Sequence, residues 1–408
     1  MRRQGGAPQS TVFYFGDKLP DMNAALVNAM FVHSLDYNDD LSGIHVGAVM
    51  PPTAIATGEP LGSNGKEIIT AVVLGYDVAT RVAEAVNSQD LYLRGFQPTG
   101  VLGQFPAVAT ASKILHLRAE QIASAFGIAG SYAGGTIEFL KDGTDTKRFH
   151  VAKAAYGGIM SAHLAAGGMT GPKSIFEGEQ GVLKALSSDT HPEKLVEELG
   201  TRFDILDTSF KWYPFCDGAF CPLEAALSIV HENNIALEDI KSMHFKVKTF
   251  LIQYLTDYHG DTERKYRPKT EMDAQMSLPY TLAVGLLKDG DVRLEDFDAK
   301  NYSDPKIIEI ADKVTAEGDP ELDKVPFRPM SMPSIATLTT KDGRTFTKRV
   351  DFQKGDPRNP FSEDDFIKKF NQNVEGKLTS ENRERFVEAV SRLETLSDVR
   401  NLSKHAIR

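Results

Sequence analysis

Leu35-Asp36-Tyr37-Asn38-Asp39-Asp40-Leu41-Ser42-Gly43-Ile44-His45-Val46-Gly47 places four acids and amides just ahead of a histidine, with apolar helical runs on both sides. Surface loops rarely have such flanks. A core that holds so many ionisable groups must either satisfy them or use them. With a second polar block at residues 142–150, the stretch points to a pocket for a small anionic molecule.

Outward from this stretch, residues 21–190 read as helices. Asn64-Gly65-Lys66-Glu67 has the form of a capping box, followed by Ile68, Val72, Tyr76, Val82 and Val86 at helical spacing. Further helices are expected over 119–133 and 151–166. Small pairs such as Ala129-Gly130 and Gly157-Gly158 let helices approach closely, which predicts a compact bundle. After about residue 210 the texture changes. Residues 243–250 alternate, with Phe245, Val247 and Thr249 on one side, as in a half-buried strand. Lys341-Asp342-Gly343-Arg344 between two Thr-rich runs is a hairpin signature. A helix is expected over 273–287. The chain crosses at Lys354-Gly355-Asp356-Pro357 and returns to helix, with Phe386, Val390 and Leu393 as an apolar stripe. The fold class is mainly α plus α+β.

Bulk properties exclude several classes of function. The 408 residues are 41% hydrophobic and 25% charged, enough for a sizeable core and more than one domain. A net charge of −10 argues against a nucleic-acid partner, which would need a basic face, but leaves room for a local basic pocket for an acidic substrate. Cys216 and Cys221 make neither a disulfide framework nor a zinc set, so a reducing, cytoplasmic setting is expected. No apolar run reaches membrane-spanning length, and Met1-Arg2-Arg3 is not followed by the apolar core of a secretory signal. Nucleotide, hydrolase-elbow and zinc-protease motifs are absent. Asp36-x-Asn38-x-Asp40 mimics a calcium loop, but Leu41 stands where glycine is required and Gly47 where the bidentate glutamate belongs. Neither a metal nor a cofactor is expected.

Several segments in register resemble the MmgE/PrpD family. They are residues 23–29 together with 33–39 and 45–47; Arg94-Gly95-Phe96-Gln97-Pro98-Thr99-Gly100; Thr146-Lys147-Arg148-Phe149-His150; Trp212-Tyr213-Pro214-Phe215-Cys216; residues 273–280; and residues 354–360. The resemblance implies a helical domain built from both chain ends, here 1–211 and 358–408, and an α+β lid over 212–357. It begins inside the family pattern, so the opening helices of that pattern are expected to be missing. It also implies a homodimer and a cofactor-free site between the domains. The family includes 2-methylcitrate dehydratase, cis-aconitate decarboxylase and iminodisuccinate epimerase. The implied activity is lyase or isomerase chemistry on a small carboxylic acid. Dehydration of a methylcitrate-like hydroxy acid is the first expectation. Decarboxylation, epimerisation or an idle carboxylate binder are the alternatives.

These reactions share the loss of a proton from carbon beside a carboxylate, which needs a base and positive groups to hold the enediolate. His45 is the candidate base because imidazole titrates near neutrality. By resemblance, Asp36 matches the family's buried aspartate and Lys147 the lysine that meets substrate carboxylate. Arg94 and Arg148 are candidates for the same task, since guanidinium grips carboxylate as a planar fork. His150 is expected to support the site, and Tyr280 to supply a proton or hydrogen bond from the lid. Two family histidines are replaced, one by Gln97, which can hydrogen-bond but not transfer protons, and one by Phe220, which would make its wall apolar.

Overall fold

The helix Gly65–Val86 shows how local sequence sets the architecture in this computed structural model, which describes residues 1–326 and 331–408. Asn64 Oδ1 accepts from the Glu67 amide at 3.0 Å, and Glu67 Oε2 accepts from the Asn64 amide at 2.9 Å. That reciprocal cap starts the helix, and Ile68, Ala71, Ala79, Val82 and Val86 then bury one face. Asp21–His33, Met50–Gly58, Gln104–Ile114, Ala119–Gly130 and Thr146–Ala166 pack around the same core. Their closeness rests on small residues. A Cβ on Gly158 would come within 2.3 Å of the Ala107 Cβ, so Gln104–Ile114 and Thr146–Ala166 meet almost backbone to backbone. Thr146–Ala166 begins five residues before its expected start at 151. Lys147, Arg148 and His150 interrupt the apolar period because they serve the site and the surface, and this hid the first turn.

The smaller part is a four-stranded sheet in the order Val314–Gly318, Ile240–Val247, Ser334–Thr340, Thr345–Val350. The first pairing is parallel and the others antiparallel. The hairpin register Thr339 with Thr345 places Lys341 to Arg344 in the turn. Met243, Phe245 and Val247 point inward, whereas Thr249 opens the helix Thr249–Leu255 and does not extend the strand. Phe220–Glu232 and Leu278–Leu287 belong to the core of this part. The helix expected over 273–287 is broken at Met276 and Ser277. Ser277 caps Leu278–Leu287 by accepting from the Tyr280 amide, and Pro279 removes the donor that continuity would need. The fold is thus mainly helical with a smaller α+β part.

The end of the chain returns to the helical layer. The Gly65 amide donates to the Leu396 carbonyl at 2.7 Å, and the Val399 amide to the Ser63 carbonyl at 2.8 Å. Val399 and Leu402 are buried with Ala54, Ile68 and Ile114. Phe386 and Leu393 pack there too, but Val390 is 47% exposed, so the expected stripe is incomplete. Among the described residues, no helix is long and apolar enough to cross a membrane.

Candidate active site between the helical layer and the sheet

Asp36 follows the helix Asp21–His33 in a left-handed backbone conformation, with φ of 47°. Such a conformation costs of order 1–3 kcal/mol for a non-glycine residue and persists only where the surroundings hold it. Two residues on, Asn38 anchors the turn. Asp39–Asp40 then pairs antiparallel with Ser209–Phe210. This short ladder delivers Lys211, 175 residues away in sequence, to Asp36. Lys147 arrives from the first turn of Thr146–Ala166. The Lys147 ammonium donates to Asp36 Oδ1 at 2.7 Å, and the Lys211 ammonium stands 3.2 Å from the same oxygen and donates to the Asp36 carbonyl at 3.2 Å. All three are buried, at 2%, 7% and 3% exposure for Asp36, Lys147 and Lys211. Burial alone would push the Asp36 carboxyl up, but the two ammonium groups outweigh it and hold it well below the usual carboxylate range. Burial opposes the charge on Lys211 as well, and Asp36 reverses the balance and raises it.

The neighbouring imidazoles have their tautomers set by hydrogen bonds. His45 Nδ1 lies 2.9 Å from the Asp39 carbonyl, which can only accept, so Nδ1 carries the proton and Nε2 is left as a bare lone pair. His33 Nδ1 lies 2.6 Å from Asn38 Oδ1. The Asn38 amide is oriented by its Nδ2 donating to the Val32 carbonyl at 2.9 Å, so this oxygen too is an acceptor. The rings stand 4.9 Å apart. Burial, then the Lys211 charge, lowers His45 well below an ordinary histidine. Burial and the Lys147 charge lower His33 to about 3. Both are neutral near pH 7. Asp40, 3.5 Å from His45 Nδ1, goes the other way: burial and the nearby Asp217 raise it well above the usual carboxylate value, which favours its protonated form. The ligating atoms of His33, Asp36 and His45 fall within 4.8 Å of one another. A divalent cation there would meet two buried ammonium groups already seated on Asp36, so the donor set does not fit one.

His45, Lys147, Lys211, Asp40 and Gln97 line one cavity, closed on the other side by Phe250, Leu251 and Tyr254 of Thr249–Leu255 and by Met276. About 80 Å³ of it is open to the centres of water-sized molecules, against about 10–15 Å³ needed for one water, so a small metabolite fits. Gln97 also caps Pro98–Leu102, accepting from the Gly100 amide at 2.5 Å.

Other residues expected at the site stand elsewhere. Arg94 is exposed and does not line the cavity. Arg148 pairs with Asp145 at 3.1 Å and Glu271 at 3.0 Å, which ties the helical layer to the α+β part and keeps it from facing a ligand. Phe220 is fully buried against Tyr213 and Phe215, so it supplies no cavity wall. The Tyr280 hydroxyl donates to the Asp296 carbonyl at 2.9 Å inside the sheet-side core. His150 lies behind the wall with its ring 5.9 Å from that of Phe139, its Nδ1 unpartnered, and burial lowers it to about 4.

Compared with known proteins, residues 1–195 match the MmgE/PrpD N-terminal domain and residues 213–395 the MmgE/PrpD C-terminal domain. The chain belongs to the MmgE/PrpD family. Cis-aconitate decarboxylase of Homo sapiens is 30% identical over 399 residues, covering 93% of this chain and 78% of the relative. The Mus musculus protein of that name is 28% identical over 95% of this chain and 78% of its own length. Cis-aconitate decarboxylase of Aspergillus terreus is 25% identical over 95% of this chain and 81% of its own length.

Several residues of this MmgE/PrpD chain escaped the sequence reading. Lys211 directly precedes the Trp212-Tyr213-Pro214-Phe215-Cys216 motif, and a charge at the edge of an aromatic run is the one sequence signal that points to it. Cys216 and Asp217 line the cavity, but burial pushes the Cys216 thiol up to about 12, which leaves it unreactive near neutrality. Lys369, on Glu363–Val374, donates to the Tyr37 carbonyl at 2.9 Å and the Lys211 carbonyl at 2.6 Å, with the Tyr37 ring 4.1 Å below it. It pins the two backbone segments that carry Asp36 and Lys211. Lys369→Met keeps the apolar stem and strands those carbonyls. It is expected to cost about 1–3 kcal/mol of stability in urea unfolding, and an unchanged midpoint would remove this role.

Proposed function

We propose that this chain is a cofactor-free lyase for a small carboxylic acid, and that it works by forming and quenching a carbanion conjugated with a bound carboxylate. The observation that carries this reading is the meeting of His45, Lys147 and Lys211 on one cavity. An ammonium has three donors. Lys147 spends one on Asp36 and a second on the weakly accepting Met276 sulfur at 4.0 Å, which a substrate carboxylate can displace. The positive pair then takes up charge as the enediolate forms, in a site shielded from water where such stabilisation is strongest.

Decarboxylation is the first form of this chemistry, supported by the names of the relatives. The bond to the departing carboxylate breaks and CO2 leaves. The electron pair enters the system conjugated with the lysine-held carboxylate, and a proton from Asp40, the neutral acid on the wall, quenches the carbon. Dehydration is the second form. There His45 Nε2 removes the proton while Asp40 protonates the departing hydroxyl, and a base and an acid pushed apart in pKa on one wall favour it. Incubation with unsaturated and hydroxylated di- and tricarboxylates in D2O separates these. Carbon dioxide with deuterium at the vacated carbon is expected; loss of water without CO2 selects the second form. Binding with neither turnover nor exchange would leave an idle carboxylate binder and end the lyase reading.

We also propose a homodimer through the exposed apolar residues Phe31 on Asp21–His33 and Phe149 and Leu164 on Thr146–Ala166, two helices that pack side by side. Light scattering should give twice the chain mass, and a monomer would contradict it. The free thiols Cys216 and Cys221 suit a reducing compartment such as the cytoplasm.

A further inference from the structure

We propose that the acid taken by this site carries at most two carboxylates and lays an alkyl arm on the apolar part of the cavity lining. This rests on the lyase reading for its chemistry, but the argument is one of charge and surface. Among the described residues, the cavity wall carries two cations, Lys147 and Lys211. Both contact the Asp36 carboxylate, and Asp217 adds a further acid to the wall. Arg94 and Arg148 face solvent and surface carboxylates. The lining also includes the apolar Leu93, Phe139, Phe250, Leu251 and Met276, the last with its sulfur 4.0 Å from the Lys147 ammonium, and the neutral Gln97. A third carboxylate directed at the apolar side chains would lose its water and meet methyl, methylene and ring carbon. An alkyl substituent in that position gains from burial instead. Two carboxylates match the two ammonium groups of the lining. The substrate class is therefore an alkyl-substituted dicarboxylate, unsaturated or hydroxylated.

Titration calorimetry on the full chain with 2-methylmaleate, 2-methylfumarate, cis-aconitate and citrate tests this. The methylated dicarboxylates should bind at least tenfold more tightly than either tricarboxylate. Leu93→Arg places a cation on the wall at a position already 52% exposed, where the fold tolerates it. It should close or invert that gap. Tighter binding of a tricarboxylate by the unmodified chain, a gap unmoved by Leu93→Arg, or no binding of any of the four acids at 10 mM would each overturn the inference. If the binding order holds but no acid is turned over or exchanged, the lyase reading fails and this inference stands. If a tricarboxylate is bound best and turned over, the reverse is true.

Discussion

His45→Gln is expected to lower kcat/KM for dehydration, the form in which His45 Nε2 takes the proton, by about 10²–10⁴-fold, the usual share of a positioned acid or base, with the fold intact. The glutamine amide can donate to the Asp39 carbonyl as His45 Nδ1–H does, but it has no basic atom to replace Nε2. The pH profile gives a second, independent readout. Burial and then the Lys211 charge depress His45 below the ordinary histidine value. A base works while unprotonated, so a lowered pKa carries activity further into acid. The acid limb of kcat/KM, which reports the free enzyme, should lie well below the ordinary histidine value of about 6.5. Lys211→Met removes the nearest depressing charge and should move that limb upward, whatever it does to the maximal rate. A wild-type limb at pH 6.5 or above would remove His45 as the base.

Asp36→Asn should be among the most damaging single changes to stability. Asparagine tolerates the left-handed backbone that Asp36 adopts, so the substitution isolates the charge. Two buried ammonium groups would then lack their shared counter-ion, and breaking a buried pair in this way costs about 3–5 kcal/mol. Chemical unfolding at pH 7 measures this directly. Acid unfolding adds a test of sign. The folded pKa of Asp36 is depressed, so its contribution is fully present above the unfolded value near 3.9 and is lost as pH falls through the folded one. His33 is held neutral, with a folded pKa of about 3. The unfolded imidazole takes up a proton below about 6.5, so stability falls by about 1.4 kcal/mol per pH unit from there downward. The native chain should weaken in both windows. Asp36→Asn should keep the upper one and lose the lower. A variant as stable as the native chain at pH 7 would mean that the lysines do not need this carboxylate.

Legibility in the sequence followed physical range. Where a few adjacent residues decide the outcome, as in the Asn64–Glu67 cap or the Lys341–Arg344 turn, the pattern was sufficient. His45 and Lys147 were reached through motifs, and the cavity holds both. Lys211 was not reached, because its place depends on a two-residue ladder between Asp39–Asp40 and Ser209–Phe210, which leaves no periodic trace. Arg94, Arg148 and Tyr280 were nominated for what their functional groups can do. Tertiary contacts decided otherwise, giving Arg148 two carboxylates and Tyr280 a main-chain carbonyl. The break at Met276 and Ser277 was legible from Pro279 and was outweighed by the apolar run after it. The protonation of Asp40 depends on burial beside Asp217, and neither is visible in a linear chain.

The docking of Leu396, Val399 and Leu402 onto Ala54, Ile68 and Ile114 sets the order of events during synthesis. A ribosome moves from the first of these residues to the last, and for that whole interval the earlier helices hold an uncovered greasy face. Translation at about 5–20 residues per second makes the wait tens of seconds. A chain cut before Val399 would keep that face uncovered, and it is expected to aggregate although every side chain of the cavity had been made.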